Sequence, residues 1–166
     1  MKIKLTPELS FIIGFWSKIR SKEGLGIEGG RDLQEIFAEQ VLGQKLTETN
    51  KLLSENNLIY FYHGKYRKFF QQIENEKLER YKYLNEYSAS YLAGIFDAVG
   101  KINERGVICL EKGGNSDEML LFRLGFPTRK INSTLIILKP KTFLLFIKNY
   151  TRRFKDHPIM KLLKKK

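Results

Sequence analysis

Two stretches of the chain are apolar around almost the whole circumference of a helix, and each opens the same series of elements. They cover about residues 7–18 and 88–99, and this pattern predicts helices that are buried on several sides. Short polar–apolar alternation broken by a glycine turn follows in both places and predicts a β-hairpin. The arms of these hairpins are expected at 18–21 with 25–28 and at 101–104 with 107–111.

Each series continues with a second helix, a second hairpin and a closing helix. A Leu-Gly pair ends each second helix, at Leu42-Gly43 and Leu124-Gly125, where glycine suits a left-handed cap. The pattern therefore predicts the order αββαββα twice, an α+β fold with antiparallel sheets. The expected bounds are 31–42 and 116–124 for the second helices, 46–53 with 57–63 and 128–132 with 134–139 for the hairpins, and 65–82 and 140–154 for the closing helices.

The two series align as an internal repeat. Residues 10–15 match residues 90–95 at an offset of 80, and the two Leu-Gly pairs match at an offset of 82. Because the offset changes only in predicted turns and hairpins, we interpret the chain as two copies of one unit. Repeat 1 is expected to cover residues 1–84, and repeat 2 is expected to cover residues 85–166.

The apolar helix of each repeat carries small residues on one side. Ser10 and Gly14 stand four residues apart in the first helix, and Ser90, Gly94 and Ala98 follow the same spacing in the second. Small side chains let two helix backbones approach closely, so we predict that the two helices pack on each other in a pseudo-symmetric pair. The alternative is that these positions only contact bulky core neighbours.

Composition narrows the class of protein. The 166 residues include 30 basic and 18 acidic side chains, a net charge of +12, and 42% hydrophobic residues, which excludes a disordered chain. No apolar run reaches the roughly 20 residues of a membrane span, and the single Cys109 excludes a disulfide framework. We expect a monomeric intracellular protein, in the cytoplasm or an organelle matrix, without a membrane partner.

Positive charge is concentrated in repeat 2. Residues 84–166 have a net charge of +9 and residues 1–83 of +3, and the segment 152–166 forms a basic C-terminal tail. Such a field attracts polyanions, of which nucleic acid is the commonest. The alternative is an ordinary solvated surface.

A nine-letter motif makes this interpretation more specific. Residues 92–100, LAGIFDAVG, closely resemble the signature of the LAGLIDADG homing endonucleases, and residues 12–20 form a degenerate copy. The resemblance implies that the two motif helices form a pseudo-twofold interface and that the antiparallel sheets form a saddle over DNA. It also implies that the acid at the eighth letter binds divalent metal ions.

The eighth letter of the motif is aliphatic in both copies. Val99 occupies it in repeat 2 and Ile19 in repeat 1, and neither side chain offers the oxygen ligands that Mg²⁺ requires. The resemblance therefore predicts the fold and nucleic-acid binding without cleavage. No metal or other cofactor is expected unless the nuclease hypothesis below holds.

The resemblance also implies which strand residues contact nucleic acid, namely those that share the parity of the eighth letter. In repeat 2 these are Lys101, Asn103 and Arg105, and in repeat 1 the series begins at Ser21. The alternative for each basic residue taken alone is a solvated side chain on the sheet surface. The remaining candidates are Lys22, Lys45, Lys51, Arg129 and Lys130.

Three hypotheses follow. The first is a nucleic-acid-binding protein that has lost cleavage and acts on DNA, on intron RNA as maturases do, or on structured RNA such as ribosomal RNA. The second is a Mg²⁺-dependent endonuclease whose acids have moved to Glu23 and Glu104, with Asp97 as a further candidate. The third is an interaction module for an acidic protein.

Overall fold

The computed structural model describes residues 2–163 as helices packed against two antiparallel sheets. The helices of this part of the chain are α1 (Pro7–Lys18), α2 (Arg31–Gly43), α3 (Gly64–Asn75), α4 (Lys77–Arg80), α5 (Glu86–Val99), α6 (Asn115–Arg123), α7 (Pro140–Ile147) and α8 (Pro158–Leu162). The strands are β1 (Leu25–Glu28), β2 (Leu53–Glu55), β3 (Leu58–Phe61), β4 (Gly100–Ile102), β5 (Ile108–Leu110), β6 (Thr128–Ile131) and β7 (Thr134–Ile137).

Helices α1 and α5 begin where side chains satisfy their first backbone N–H groups. Thr6 Oγ1 accepts a hydrogen bond from Leu9 N at 3.1 Å. Asn85 caps α5 and forms a capping box with Ser88. These caps explain why both apolar segments become helices at the predicted places.

The two apolar helices pack on each other, as predicted. At Gly14, a Cβ atom would lie 2.2 Å from the carbonyl oxygen of Tyr91, and at Gly94 it would lie 2.2 Å from that of Phe11. Both glycines therefore lie where the two backbones touch. Ser10, Ser90 and Ala98 are buried along the same helices, and Ser10 Oγ accepts a hydrogen bond from the Tyr81 hydroxyl at 3.0 Å.

Sheet 1 has the strand order β1-β3-β2 and sheet 2 the order β4-β5-β7-β6, with every neighbouring pair antiparallel. Side chains alternate between two faces along each strand. One face of each sheet belongs to the hydrophobic core, and we call the opposite one the open face. The core-face residues are Leu25, Ile27, Ile59 and Phe61 in sheet 1, and Ile108, Leu110, Leu135 and Ile137 in sheet 2.

A buried ion cluster joins the two repeats. Asp117 in α6 accepts a hydrogen bond from Lys77 Nζ at 2.7 Å and also pairs with Lys18. Lys77 contacts Glu74 at 3.1 Å, and Glu74 accepts a hydrogen bond from the Tyr91 hydroxyl at 2.7 Å. Burial alone would raise the pKa of Asp117, but the two ammonium groups outweigh burial and hold that pKa below its ordinary value.

The first hairpin of repeat 1 is shorter than predicted. Residues 18–21 form no strand, and only Arg20 pairs with β1, through a single bridge to Ile27. The Arg20 guanidinium lies 4.1 Å from the centroid of the Trp16 ring and donates to Gln71 Oε1 at 2.9 Å. Two backbone hydrogen bonds also hold this arm against β1, from Glu28 N to Ile19 O at 2.7 Å and from Ser21 N to Gly26 O at 3.0 Å.

Three further predicted bounds are wrong. The arm expected at 46–53 contains a 3₁₀ turn at Thr49–Lys51, so that β2 begins only at Leu53. The helix expected at 65–82 is interrupted at Glu76, between α3 and α4. Helix α7 stops at Ile147 instead of 154 because the chain then turns toward α5, and α8 was not predicted.

The ends of α2 and α6 correct the alignment of the two repeats. Gly43 is still helical, and the left-handed residue that follows α2 is Lys45 (φ 60°); after α6 it is Gly125 (φ 89°). Leu46 N bonds to Val41 O, and Phe126 N bonds to Leu121 O, in the same pattern. The caps therefore match at an offset of 80, and the Leu-Gly pairing at 82 is wrong.

No helix within residues 2–163 is long and apolar enough to cross a membrane. The division at residues 84 and 85 remains a prediction; α5, the first helix of repeat 2, begins at Glu86.

Candidate nucleic-acid interface

The two motif helices end in buried aliphatic side chains. Ile19 is 8% exposed and Val99 is 6% exposed. Each directly faces a glutamate across its hairpin: Glu28 N donates to Ile19 O at 2.7 Å, and Glu111 N donates to Val99 O at 3.0 Å. The matching bonds show that the two helix ends are built alike.

These helix ends do not fit a divalent metal ion. The side chains at the motif positions are hydrocarbon, and the carbonyl oxygens of Ile19 and Val99 already accept backbone hydrogen bonds. Within residues 2–163 no group of three or more His, Cys, Asp or Glu side chains is placed to hold a metal ion.

Two glutamates that the motif did not indicate, Glu28 and Glu111, pair through their backbone with the eighth-letter positions. Glu111 pairs with Lys101 at 3.1 Å, whereas Glu28 is exposed at the end of β1. The hairpin register was the signal that could have found them, because it places each glutamate opposite the eighth letter of the motif.

Glu23 and Glu104 lie at the tips of two different hairpins. Glu23 Oε2 accepts a hydrogen bond from the Tyr62 hydroxyl at 3.0 Å. Glu104 lies in the β4–β5 turn, which a backbone bond from Gly106 N to Asn103 O closes at 3.0 Å. The positions predicted for a relocated metal site therefore belong to separate turns.

Asp97 is fully buried and holds the segment after α7 against α5. Its carboxylate accepts hydrogen bonds from the Thr151 hydroxyl, from Arg152 N at 2.6 Å and from Arg153 N at 3.1 Å. Burial raises its pKa to about 6, although these hydrogen bonds and the Arg153 charge act in the opposite direction. Asp97 is thus a structural anchor, and none of these contacts supports the prediction that it is a catalytic candidate.

One row of side chains crosses the open face of sheet 2. The register pairs Lys101 with Cys109, Cys109 with Ile136, and Ile136 with Arg129. Directly opposed residues share a face of the sheet, so Lys101 and Arg129 stand on the open face at its two edges. Both are exposed. Arg129 is available to phosphates or base edges, and Lys101 reaches them by exchanging its ion pair with Glu111.

Lys130 faces away from this row. It pairs with Leu135, a core-face residue, and its Nζ donates to Asn115 Oδ1 on α6 at 2.7 Å. Because adjacent strand residues point to opposite faces, Arg129 and Lys130 cannot serve the same surface. The prediction that both contribute to one nucleic-acid surface is therefore wrong for Lys130.

Asn103 and Arg105 belong to the β4–β5 turn. Asn103 Oδ1 accepts hydrogen bonds from Arg105 N and from Val107 N, both at 2.9 Å. This asparagine closes the turn, and only its amide nitrogen is left for a ligand. Arg105 is exposed at the hairpin tip.

The open face of sheet 1 carries acids and tyrosines. Glu28 and Glu55 share it with Tyr60, whose ring packs edge-on against Tyr62 with centroids 5.7 Å apart. The hydrogen bond to Glu23 holds the pKa of the Tyr62 hydroxyl above its ordinary value. With three carboxylates, this face repels phosphates.

The other candidates of repeat 1 lie in turns. Ser21 Oγ donates to Glu23 O at 2.6 Å, and Lys22 is exposed beside it. Lys45 is the exposed left-handed residue after α2, and Lys51 lies 3.7 Å from Glu48. The last three lysines of the predicted basic tail, 164–166, lie outside the described residues.

Solved structures of the homing endonuclease I-DmoI are similar to this chain. A variant of I-DmoI with its target DNA and magnesium matches with a TM-score of 0.64 at 10% identity, covering 85% of this chain and 95% of that one. I-DmoI with DNA and manganese gives a TM-score of 0.63 at 10% identity, covering 85% and 96%. The complex with DNA and calcium gives 0.62 at 12% identity, covering 95% and 97%.

No protein-family model matches the sequence, and no curated protein does. The structural matches confirm the fold class that the LAGLIDADG motif implied. At 10–12% identity they show a shared fold.

Proposed function

We propose that this chain is a nucleic-acid-binding protein related to the LAGLIDADG homing endonucleases, and that it binds through the open face of sheet 2 without cleaving. One observation carries the proposal. A chain with the fold of I-DmoI, which has been solved on DNA, has buried aliphatic residues at both positions where the motif of that family has a metal-binding acid. Ile19 and Val99 lie at the buried ends of the two motif helices, and their side chains have no oxygen atom that could bind a metal ion.

The charge distribution supports binding through sheet 2 rather than sheet 1. Lys101 and Arg129 stand on the open face of sheet 2, and Arg105 is exposed at its hairpin tip. The matching face of sheet 1 carries Glu28 and Glu55, whereas Glu111, on the open face of sheet 2, is paired with Lys101 and leaves that face with the positive charge of Arg129 and Arg105. A phosphate backbone is attracted to the first surface and repelled by the second.

Duplex DNA is the first probe, because the similar structures are DNA complexes. A competition assay with duplex DNA, hairpin RNA and ribosomal RNA then identifies the target. A preference for either RNA would favour the maturase-like or structured-RNA hypothesis. Retention of none of them at about 0.1 M salt would leave the acidic protein partner as the better hypothesis.

The binding test uses the double variant Lys101→Gln/Arg129→Gln. Each phosphate contact on duplex DNA contributes about 0.9 to the slope of log affinity against log salt concentration, so the slope should decrease by about 1.8. The control is Lys139→Gln/Lys141→Gln, which removes the same charge from exposed lysines at the start of α7. Equal slopes for the two variants would contradict binding through sheet 2.

The cleavage test incubates the chain with a mixed DNA library and Mg²⁺ or Mn²⁺, and we expect intact DNA. To Glu23 and Glu104, the acids of the nuclease hypothesis, we add Glu28 and Glu111, because their backbone N–H groups bond to the two motif positions. Metal-dependent cleavage that disappears in Glu28→Gln or Glu111→Gln would overturn the non-cleaving proposal.

A further inference from the structure

A basic cleft lies between the N-terminal segment and helix α3, outside the two open faces. It has a volume of about 740 Å³, and no strand residue contributes to it. Its floor is partly apolar, and its rim is cationic. The lining residues are Lys2, Ile3, Lys4, Leu5, Lys65, Lys68, Phe69, Gln72 and Arg80.

Five cations line the cleft, and the carboxylate beside it, Glu76, is paired with one of them, Arg80. Lys65 and Lys68 lie on the same face of α3 because they are three residues apart, and they face the segment that carries Lys2 and Lys4. Arg80 pairs with Glu76 at 2.9 Å. Within residues 2–163, none of the four lysines takes part in an ion pair.

The distribution of charge in repeat 1 therefore does not favour nucleic-acid binding through the open face of its sheet. Glu23, Glu28 and Glu55 make the open face of sheet 1 acidic, whereas the lysines of the cleft collect on the helical side. A polyanion attracted to repeat 1 is directed to this cleft. Sheet 2 attracts a polyanion from its own open face, so the chain has two separate cationic surfaces.

We propose that this cleft binds a second segment of nucleic-acid phosphate backbone, independently of the segment bound by sheet 2. Lysine suits this ligand, since its ammonium group is a compact charge on a flexible stem that follows spaced phosphates. The partly apolar floor, formed by Ile3, Leu5 and Phe69, also allows contact with sugars and bases. The two sites together let one chain hold two duplex segments or two helices of a folded RNA.

The test counts bound duplexes by native mass spectrometry, using a DNA duplex of roughly one helical turn. We expect two duplexes on the wild-type chain and one on the variant Lys65→Gln/Lys68→Gln. One duplex is also expected on the sheet 2 variant Lys101→Gln/Arg129→Gln. The control Lys139→Gln/Lys141→Gln should keep two.

The outcomes separate this inference from the proposed function. A single duplex that only the sheet 2 variant loses would overturn the cleft and keep the function. A single duplex that only the cleft variant loses would support the cleft and overturn binding through sheet 2. Retention on phosphatidylserine vesicles or polyglutamate through Lys65 and Lys68, without retention of DNA or hairpin RNA, would overturn nucleic acid as the ligand.

Discussion

The contact between α1 and α5 leaves no room for a methyl group at Gly94. A Cβ atom there would lie 2.2 Å from Phe11 O and 2.7 Å from Phe15 N. Both are backbone atoms, so no rotamer change can relieve the overlap. Because non-bonded atoms need about 3.5 Å, Gly94→Ala must push the two helices apart by about 1 Å.

Three effects determine how much Gly94→Ala changes the free energy of unfolding. Overpacking costs about 1–3 kcal/mol, and a gap of about 1 Å forfeits up to half of the dispersion attraction of each affected contact. In the opposite direction, the higher helix propensity of alanine stabilises the helix by about 1 kcal/mol relative to glycine. We expect Gly94→Ala to lower the free energy of unfolding by about 2 kcal/mol or more, which corresponds to roughly 4–8 °C in Tm.

The assay is thermal and urea unfolding followed by circular dichroism. Gly43→Ala is the matched control, because Gly43 lies at the end of α2 and a Cβ there meets no atom within 4 Å. That control should be unchanged or up to about 1 kcal/mol more stable. Equal stability of the two variants would refute the close contact of the helices.

Gly14 offers an independent check on the same interface. Its Cβ would lie 2.2 Å from Tyr91 O, so Gly14→Ala should destabilise the chain about as much as Gly94→Ala. Since both substitutions separate the same pair of helices, the double variant should lose less than the sum of the two. Strict additivity would show that the two glycines act at unconnected sites.

Two buried carboxylates give opposite predictions for the pH dependence of stability. Asp97 has a pKa of about 6 in the folded chain, above its value in the unfolded chain. Its contribution to the free energy of unfolding should therefore fall by roughly 2–3 kcal/mol as the pH rises from about 4 to 6. Urea unfolding of Asp97→Asn over this pH range should not show that fall. The pKa of Asp117 is lower in the folded chain than its ordinary value. Its contribution to the free energy of unfolding is therefore present at neutral pH and is lost as the pH falls through the lowered pKa. Asp117→Asn should cost about 3 kcal/mol at neutral pH, because it removes the carboxylate that pairs with Lys18 and leaves Lys77 with Glu74 alone. A loss below about 1 kcal/mol would contradict this role of Asp117.

Local pattern in the sequence was enough to predict the framework of the molecule. A helix that is apolar on all sides and carries a stripe of small residues is expected to be buried against another helix. The segments around Gly14 and Gly94 pack on each other as this pattern predicts. The eighth-letter positions, Ile19 and Val99, were also identified from the motif alone. These features depend on residues within a turn or two of each other, so that propensity and periodicity are sufficient to recognise them.

The site itself was decided by contacts between distant parts of the chain. Arg129 and Lys130 are equivalent in the sequence, and only the pairing of β6 with β7, set by burial of Leu135, places the first on the open face and turns the second toward α6. Asp97 meets Thr151 across 54 residues, and no local pattern records that pairing. Such contacts follow from the tertiary structure because burial of the apolar faces fixes the strand register, and that register determines which partners each polar side chain can reach.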